Sequence, residues 1–125
     1  MRLLLDTHIF LWVVTDSRKL KGAARRAIAA ADAVHVSAAS IWEIAIKVRL
    51  GKIHGDPQQL ADAIGPSGFL ELPVSAHHAA RVAQLPDHHH DPFDRLLVAQ
   101  ALTEPLVLLT ADSLLARYGE LVQVV

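Results

Sequence analysis

The chain has 125 residues, a formal net charge of −1 and no cysteine. That length suits one domain with its own core, and the missing thiols exclude a disulfide framework and a thiolate metal site. A near-neutral chain has no global attraction to nucleic acid, so any such contact must come from a local basic patch or through metal ions.

Arg2–Leu5 is a short apolar run ending at Asp6 and reads as a first strand. A short helix is predicted over His8–Val14. The apolar stretch Leu3–Val14 is interrupted by Asp6, Thr7 and His8. It is too short to span a bilayer and lacks the cleavage pattern of a signal peptide, so we expect a soluble, cytoplasmic protein. Ser17 can cap a helix over Arg18–Ala31, and Ala33–Ser37 (AVHVS) reads as a second strand. Ala38–Leu50 has Ile41, Ile44, Ala45 and Val48 at helical spacing and is stopped by Gly51. Pro57–Ile64 is a short helix broken by Gly65–Pro66, and Phe69–Leu72 a third strand. Ser75 caps a helix to about Leu85, and a polar loop covers Pro86–Asp91. Asp91–Pro92 opens a helix to about Thr103, with proline at its first position. Pro105–Thr110 reads as a buried strand, Asp112–Tyr118 as a helix and Leu121–Val125 as the last strand. Strands alternating with helices imply right-handed crossovers and a mostly parallel sheet with helices on both faces.

In such a sheet, ligands bind beyond the carboxyl ends of the strands. Asp6 and Asp112 each follow a strand, and each also has a plain reading as a helix N-cap. Asp94 lies on the apolar stripe of its helix with Leu97, Val98 and Ala101. A carboxylate there faces the sheet, which is costly unless it is paired or bound to metal; the alternative is an acid assisting the cap that Asp91 provides. Glu43 reads locally as the partner of Lys47 at i, i+4. If the four acids converge, cations or protons must offset their repulsion. An all-oxygen site suits Mg²⁺ or Mn²⁺, and such ions polarise phosphates and acidify bound water. The periodicity permits this convergence without showing it.

Three segments together resemble the VapC-type PIN domains: LLLDTHIFLW (3–12), SAASIWEIAIKVRLGKI (37–53), and HHHDPFDRLLVAQAL (88–102) followed by LVLLTAD (106–112). The resemblance covers nearly the whole chain. It implies a three-layer α/β/α sandwich with a five-stranded parallel sheet, usually a homodimer. It also implies that Asp6, Glu43, Asp94 and Asp112 hold Mg²⁺ or Mn²⁺, with Thr110 as the hydroxyl that accompanies the last acid. Similar proteins are endoribonucleases that cut RNA, often tRNA or rRNA. They act as toxins and are silenced by a small VapB-like antitoxin encoded beside them. Relatives often carry arginine immediately before DPFD, where this chain has His90.

Other features have plainer readings. Three adjacent histidines, His88–His90, do not point at one ion and read as a solvated loop near the mouth of the site. His77 and His78 read as surface or packing residues, and His8 as bordering the site. Arg18, Lys19, Lys21, Arg25 and Arg26 form either a solvated face or an RNA-backbone contact. Lys47, Arg49 and Lys52 lie nearer Glu43 and are the better candidates for steering phosphates to the substrate-binding site. Trp12 and Trp42 read as core or dimer packing. Hydrophobic residues make up 52% of the chain, more than a small domain buries alone. This suggests a dimer through the first and third helices, with Ile9, Phe10, Trp12 and Val13 supplying apolar surface. A phospho-acceptor signalling domain fits less well, because Asp6 has no adjacent acid and no lysine follows the last strand. A non-catalytic PIN-like scaffold would be expected to lack at least one of the four acids.

Overall fold

Leu3, Leu4 and Leu5 are all fully buried, which requires a strand with neighbours on both edges and cover on both faces. The computed structural model describes residues 1–125 and makes this run the central strand, β1 (Arg2–Leu5). There follow α1 (Thr7–Val14), α2 (Gly22–Ala30), β2 (Ala33–Ser37), α3 (Ala38–Arg49), α4 (Pro57–Asp62) and β3 (Leu70–Leu72). The second half contains α5 (Ala76–Arg81) with a 3-10 turn at Val82–Gln84, α6 (Pro92–Thr103), β4 (Val107–Thr110), a 3-10 segment (Ser113–Tyr118) and β5 (Val122–Val124).

The sheet has five strands in the order β3-β2-β1-β4-β5. Every pairing is parallel, with Leu5 opposite Val36 on one side and Leu109 on the other. Side chains alternate across the pleat. Leu3, Leu5, Val34, Val36 and Leu109 join Ile9, Phe10 and Ile44 in one core cluster. Leu4 and Leu108 join Leu97, Val98, Ala101 and Leu115 in the other. The result is the three-layer α/β/α sandwich expected from the sequence. The first two crossovers run from β1 outward to β3, and the chain then returns to place β4 on the opposite edge of β1. The switch point therefore lies between β1 and β4, where an open parallel sheet leaves a crevice at its carboxyl ends.

Some boundaries differ from expectation. The second helix starts at Gly22 and not at Arg18. Ser17 spends its hydroxyl on the Lys19 N–H at 3.2 Å, a local turn that competes with helix. Arg25 reinforces that turn by donating to the carbonyls of Ser17 and Leu20. The helix capped by Ser75 ends at Arg81 and tightens to 3-10 before Leu85. Leu85 is extended, as the residue before a proline prefers. Residues Ser113–Tyr118 are 3-10 and not α-helical.

The dimer expectation for the first helix also needs correction. Ile9 and Phe10 are at most 1% exposed and belong to the chain's own core. Exposed apolar side chains instead include Trp42 on α3 and Leu50 at its C-cap, 61% and 62% exposed, with Ile46 between them. No helix is long and apolar enough to cross a membrane.

Phe10 anchors α1 beneath the end of β1. Phe10→Ala is expected to destabilise the fold by about 3–5 kcal/mol, read as a lower urea midpoint in equilibrium unfolding.

Candidate active site

Asp6 is 5% exposed and stands where β1 becomes α1. Its backbone N–H continues the sheet ladder by donating to the Leu109 carbonyl at 2.9 Å. Its Oδ1 accepts the Thr7 N–H at 2.7 Å, and its Oδ2 accepts the Thr110 hydroxyl at 2.6 Å. Thr110 ends β4, and its Oγ1 in turn accepts the Asp112 N–H at 3.0 Å. One hydroxyl thus links the first and last acids across the switch point. Asp112 also caps the following 3-10 segment through Oδ1 and the Leu114 N–H at 3.0 Å.

Glu43 arrives on α3, which begins directly at the end of β2. Ser37 caps this helix by accepting the Ala39 N–H. Thr7 donates to Ser40 at 2.9 Å, which ties the first turn of α3 to the residue after Asp6. Glu43 is buried at 4% exposure. Its Oε2 accepts from Lys47 Nζ at 2.9 Å, the i, i+4 pair expected from the sequence. Its Oε1 is buried with no hydrogen-bond partner.

Asp94 arrives on α6. Its backbone N–H is capped by Asp91 Oδ1 at 3.0 Å, so the cap reading of Asp91 holds while the Asp94 carboxylate remains free of that duty. Trp42 and Phe93, each one residue before an acid, meet edge to face at 5.1 Å between ring centroids. That contact packs α3 against α6 beside the site.

The electrostatics show how close these groups are. Burial, then the charges of Asp6, Asp91 and Glu43, push the Asp94 carboxyl up to about 7. Burial also raises Asp6, against the lowering effects of Thr110 and Thr7, with Glu43 adding to the rise. Lys47 is held above its ordinary value, first by its bond to Glu43 and then by the charges of Glu43, Asp91 and Asp94. A buried carboxylate oxygen without a partner, beside carboxyls pushed toward their protonated form, is the arrangement a hard divalent ion relieves. The residues present therefore fit Mg²⁺ or Mn²⁺.

The sequence-derived phosphate candidates divide. Lys47 faces the acids. Arg49 is six residues beyond Glu43, which leaves the two about 120° apart around the helix at 3.6 residues per turn, and is exposed. Lys52 is exposed beyond the end of α3.

One residue escaped the sequence reading. His89 is not in a purely solvated loop. Its Nε2 lies 3.2 Å from Asp112 Oδ2 and 3.3 Å from Asp94 Oδ2, and the donor atoms of these three side chains lie within 4.8 Å of one another. The available signal was its place just before Asp91–Pro92, but three consecutive histidines hide which one turns inward. A groove of about 310 Å³, which reaches Ala111, the residue before Asp112, is lined by Ile9, Trp12, Lys19, Lys21, Ala24, Ala111 and Val125.

Asp94 generates a pH prediction. Its pKa is about 7 in the folded chain against an ordinary 3.8, so the metal-free fold takes up a proton between those values. Its contribution to stability is then fully present below the ordinary value and is lost as pH rises toward 7. Asp94→Asn lacks this loss. In EDTA, its urea midpoint is expected to match wild type near pH 4, to exceed it increasingly up to pH 7, and to level off above.

A family model described as PIN domain matches residues 3–121. No curated protein matches the chain by sequence. Among solved structures, VapBC2 from Rickettsia felis bound to a promoter DNA fragment is similar over 98% of both chains, with TM-score 0.72 and 17% identity. A toxin–antitoxin complex from Klebsiella pneumoniae is similar over 97% of this chain and 95% of its own, with TM-score 0.68 and 20% identity. FitAcB from Neisseria gonorrhoeae is similar over 90% of this chain and 89% of its own, with TM-score 0.61 and 17% identity.

Proposed function

This chain belongs to the PIN-domain family, and from that premise we propose that it is a Mg²⁺- or Mn²⁺-dependent endoribonuclease, the toxin of a VapBC-like toxin–antitoxin pair. The observation that carries the reading is the pairing of Asp94, whose carboxyl is pushed to about 7 by burial and neighbouring acids, with a buried Glu43 oxygen that has no partner. Such a cluster is poor as structure and good as a cation cage.

Asp6, Glu43, Asp94 and Asp112 would hold the ion, which supplies Lewis-acid polarisation of the phosphodiester and acidification of the attacking water. The chain's own residues prepare that site. Thr110 fixes one oxygen of Asp6 and the backbone of Asp112. Lys47 neutralises one oxygen of Glu43 and leaves the other available, and it offers positive charge to an arriving phosphate. Arg49 and Lys52 extend that charge along the surface and are assigned a weaker, steering part in substrate binding. The substrate class is RNA, with tRNA or rRNA as the expected targets.

The partner reading rests on the groove beside Asp112. Its apolar lining between Trp12 and Ala111 suits an extended antitoxin segment whose arginine would pair with the acids and compete with metal. Two of the solved neighbours are described as a toxin–antitoxin complex and as VapBC2 on promoter DNA, which is consistent with a partner of this kind. Self-association is assigned to the exposed α3 stripe of Trp42, Ile46 and Leu50, spaced i, i+4, i+8 on one helix face.

Purified protein incubated with total RNA and Mn²⁺ should cleave it, and EDTA should stop cleavage. Asp94→Asn should abolish activity while folding at least as stably as wild type. Thr110→Val should cost roughly 10–100-fold, as expected for loss of a residue that orients a ligand. Cleavage by Asp94→Asn at the wild-type rate would contradict the reading. Light scattering of this 13.6 kDa chain should give a dimer at micromolar concentration, and Trp42→Glu should shift it to monomer.

A further inference from the structure

The loop before α6 brings to the acids a ring that the metal reading does not use. His89 Nε2 sits between Asp94 Oδ2 and Asp112 Oδ2, at 3.3 and 3.2 Å. Its other nitrogen decides the nature of that contact. The Asp91 N–H donates to His89 Nδ1 at 3.1 Å. A ring nitrogen that accepts a hydrogen bond carries no proton, so the proton resides on Nε2. Nε2 therefore donates to Asp112 Oδ2 and lies close against Asp94 Oδ2, and it has no lone pair to give an ion while the Asp91 bond persists. The backbone beneath is fixed. Arg95 Nη1 donates to the carbonyls of Pro86 and His89, and Nη2 to that of Val82. The loop is tied to α6 by these bonds, and the imidazole can leave the acids by its own side-chain torsions.

We propose that the His89 imidazole is a built-in placeholder in the acid cluster: its Nε2–H donates to Asp112 and its ring fills the space against Asp94 while no ion is bound, and a divalent ion shared by those two carboxylates must displace it. The inference rests on the reading of the four acids as a metal site. It assigns His89 a role opposite to that of a ligand, because the ring competes with the ion. The strength of this competition sets how much Mg²⁺ or Mn²⁺ is needed to load the site. Removing the ring should take from Asp112 Oδ2 its one donor and open the space beside Asp94, which weakens the metal-free fold and strengthens ion binding.

The test compares wild type with His89→Ala by calorimetric titration of Mn²⁺ and by thermal melts in EDTA. The variant should melt lower in EDTA and bind Mn²⁺ about five- to tenfold tighter, the ratio implied by the net worth of one hydrogen bond. A second measurement needs no variant. Long-range proton–nitrogen NMR of the wild-type rings should show His89 protonated on Nε2 in EDTA, and still so after saturation with diamagnetic Mg²⁺, with the Nε2–H resonance shifted as its acceptor is lost. Unchanged or weaker Mn²⁺ binding by the variant overturns the proposal. So does a proton transferred to Nδ1 on adding Mg²⁺, which would make the ring a ligand. A wild-type protein that binds neither ion overturns the metal-site reading and this proposal with it, whereas a wild type that binds normally beside a variant that binds no tighter overturns only the role of His89.

Discussion

A carboxylate buried at the end of the central strand has to be satisfied by what surrounds it, and the fold around Asp6 is organised by that requirement. One residue ends β1, bonds to β4 through its backbone N–H, and starts α1. Its two carboxylate oxygens take the Thr7 N–H and the Thr110 hydroxyl. Because Thr110 also accepts from the backbone of Asp112, satisfying Asp6 fixes the end of β4 and the direction in which the chain leaves it. The polar link from Thr7 to Ser40 then sets α3 beside the same point, and with it Glu43. A requirement at one buried atom pair thus propagates through three strand ends.

The acids brought together this way work against the stability of the metal-free chain. Hydrogen bonds and Lys47 compensate part of the charge, but Glu43 Oε1 has no partner and Asp94 holds its proton up to about 7. Core packing on both sides of the sheet has to carry that cost, which is the usual relation between a preorganised site and its scaffold. The cap bonds made by Asp91 and Asp112 show that helix capping leaves carboxylate oxygens free at neighbouring positions. Asp91 caps α6 so that Asp94 need not, and Asp112 caps with one oxygen while the other faces His89.

Much of the architecture was legible in the sequence because parallel strands covered on both faces read as continuous apolar runs; LLL in β1 and VLLT in β4 are of this kind. Asp94 was legible because an acid on an apolar helical stripe breaks the pattern. The start of α2 was not, since Ser17 is as good a cap as any by residue type, and only its bond to Lys19 shows that it serves a turn. The apolar content of α1 was assigned to a dimer surface, yet Ile9 and Phe10 lie in the core; a short helix seated over a central strand buries more than its length suggests. His89 was not legible because its meaning depends on the Asp91 N–H and on Asp112, a residue 23 positions away.

The aromatic pair between α3 and α6 connects the outer surface to the acids. Trp42 is 61% exposed although its ring packs on Phe93, so it has one face in the chain and one outside. The residues that follow in sequence, Glu43 and Asp94, point into the site. A load placed on the outer face of Trp42, by a second copy or any other partner, would press on the contact that sets the spacing of α3 and α6. Since Glu43 adds to the cost of ionising Asp94, a small change in that spacing alters the repulsion that Asp94 meets. The proposed self-association and the proposed metal site would thereby be physically coupled through one side chain, without any long path through the core.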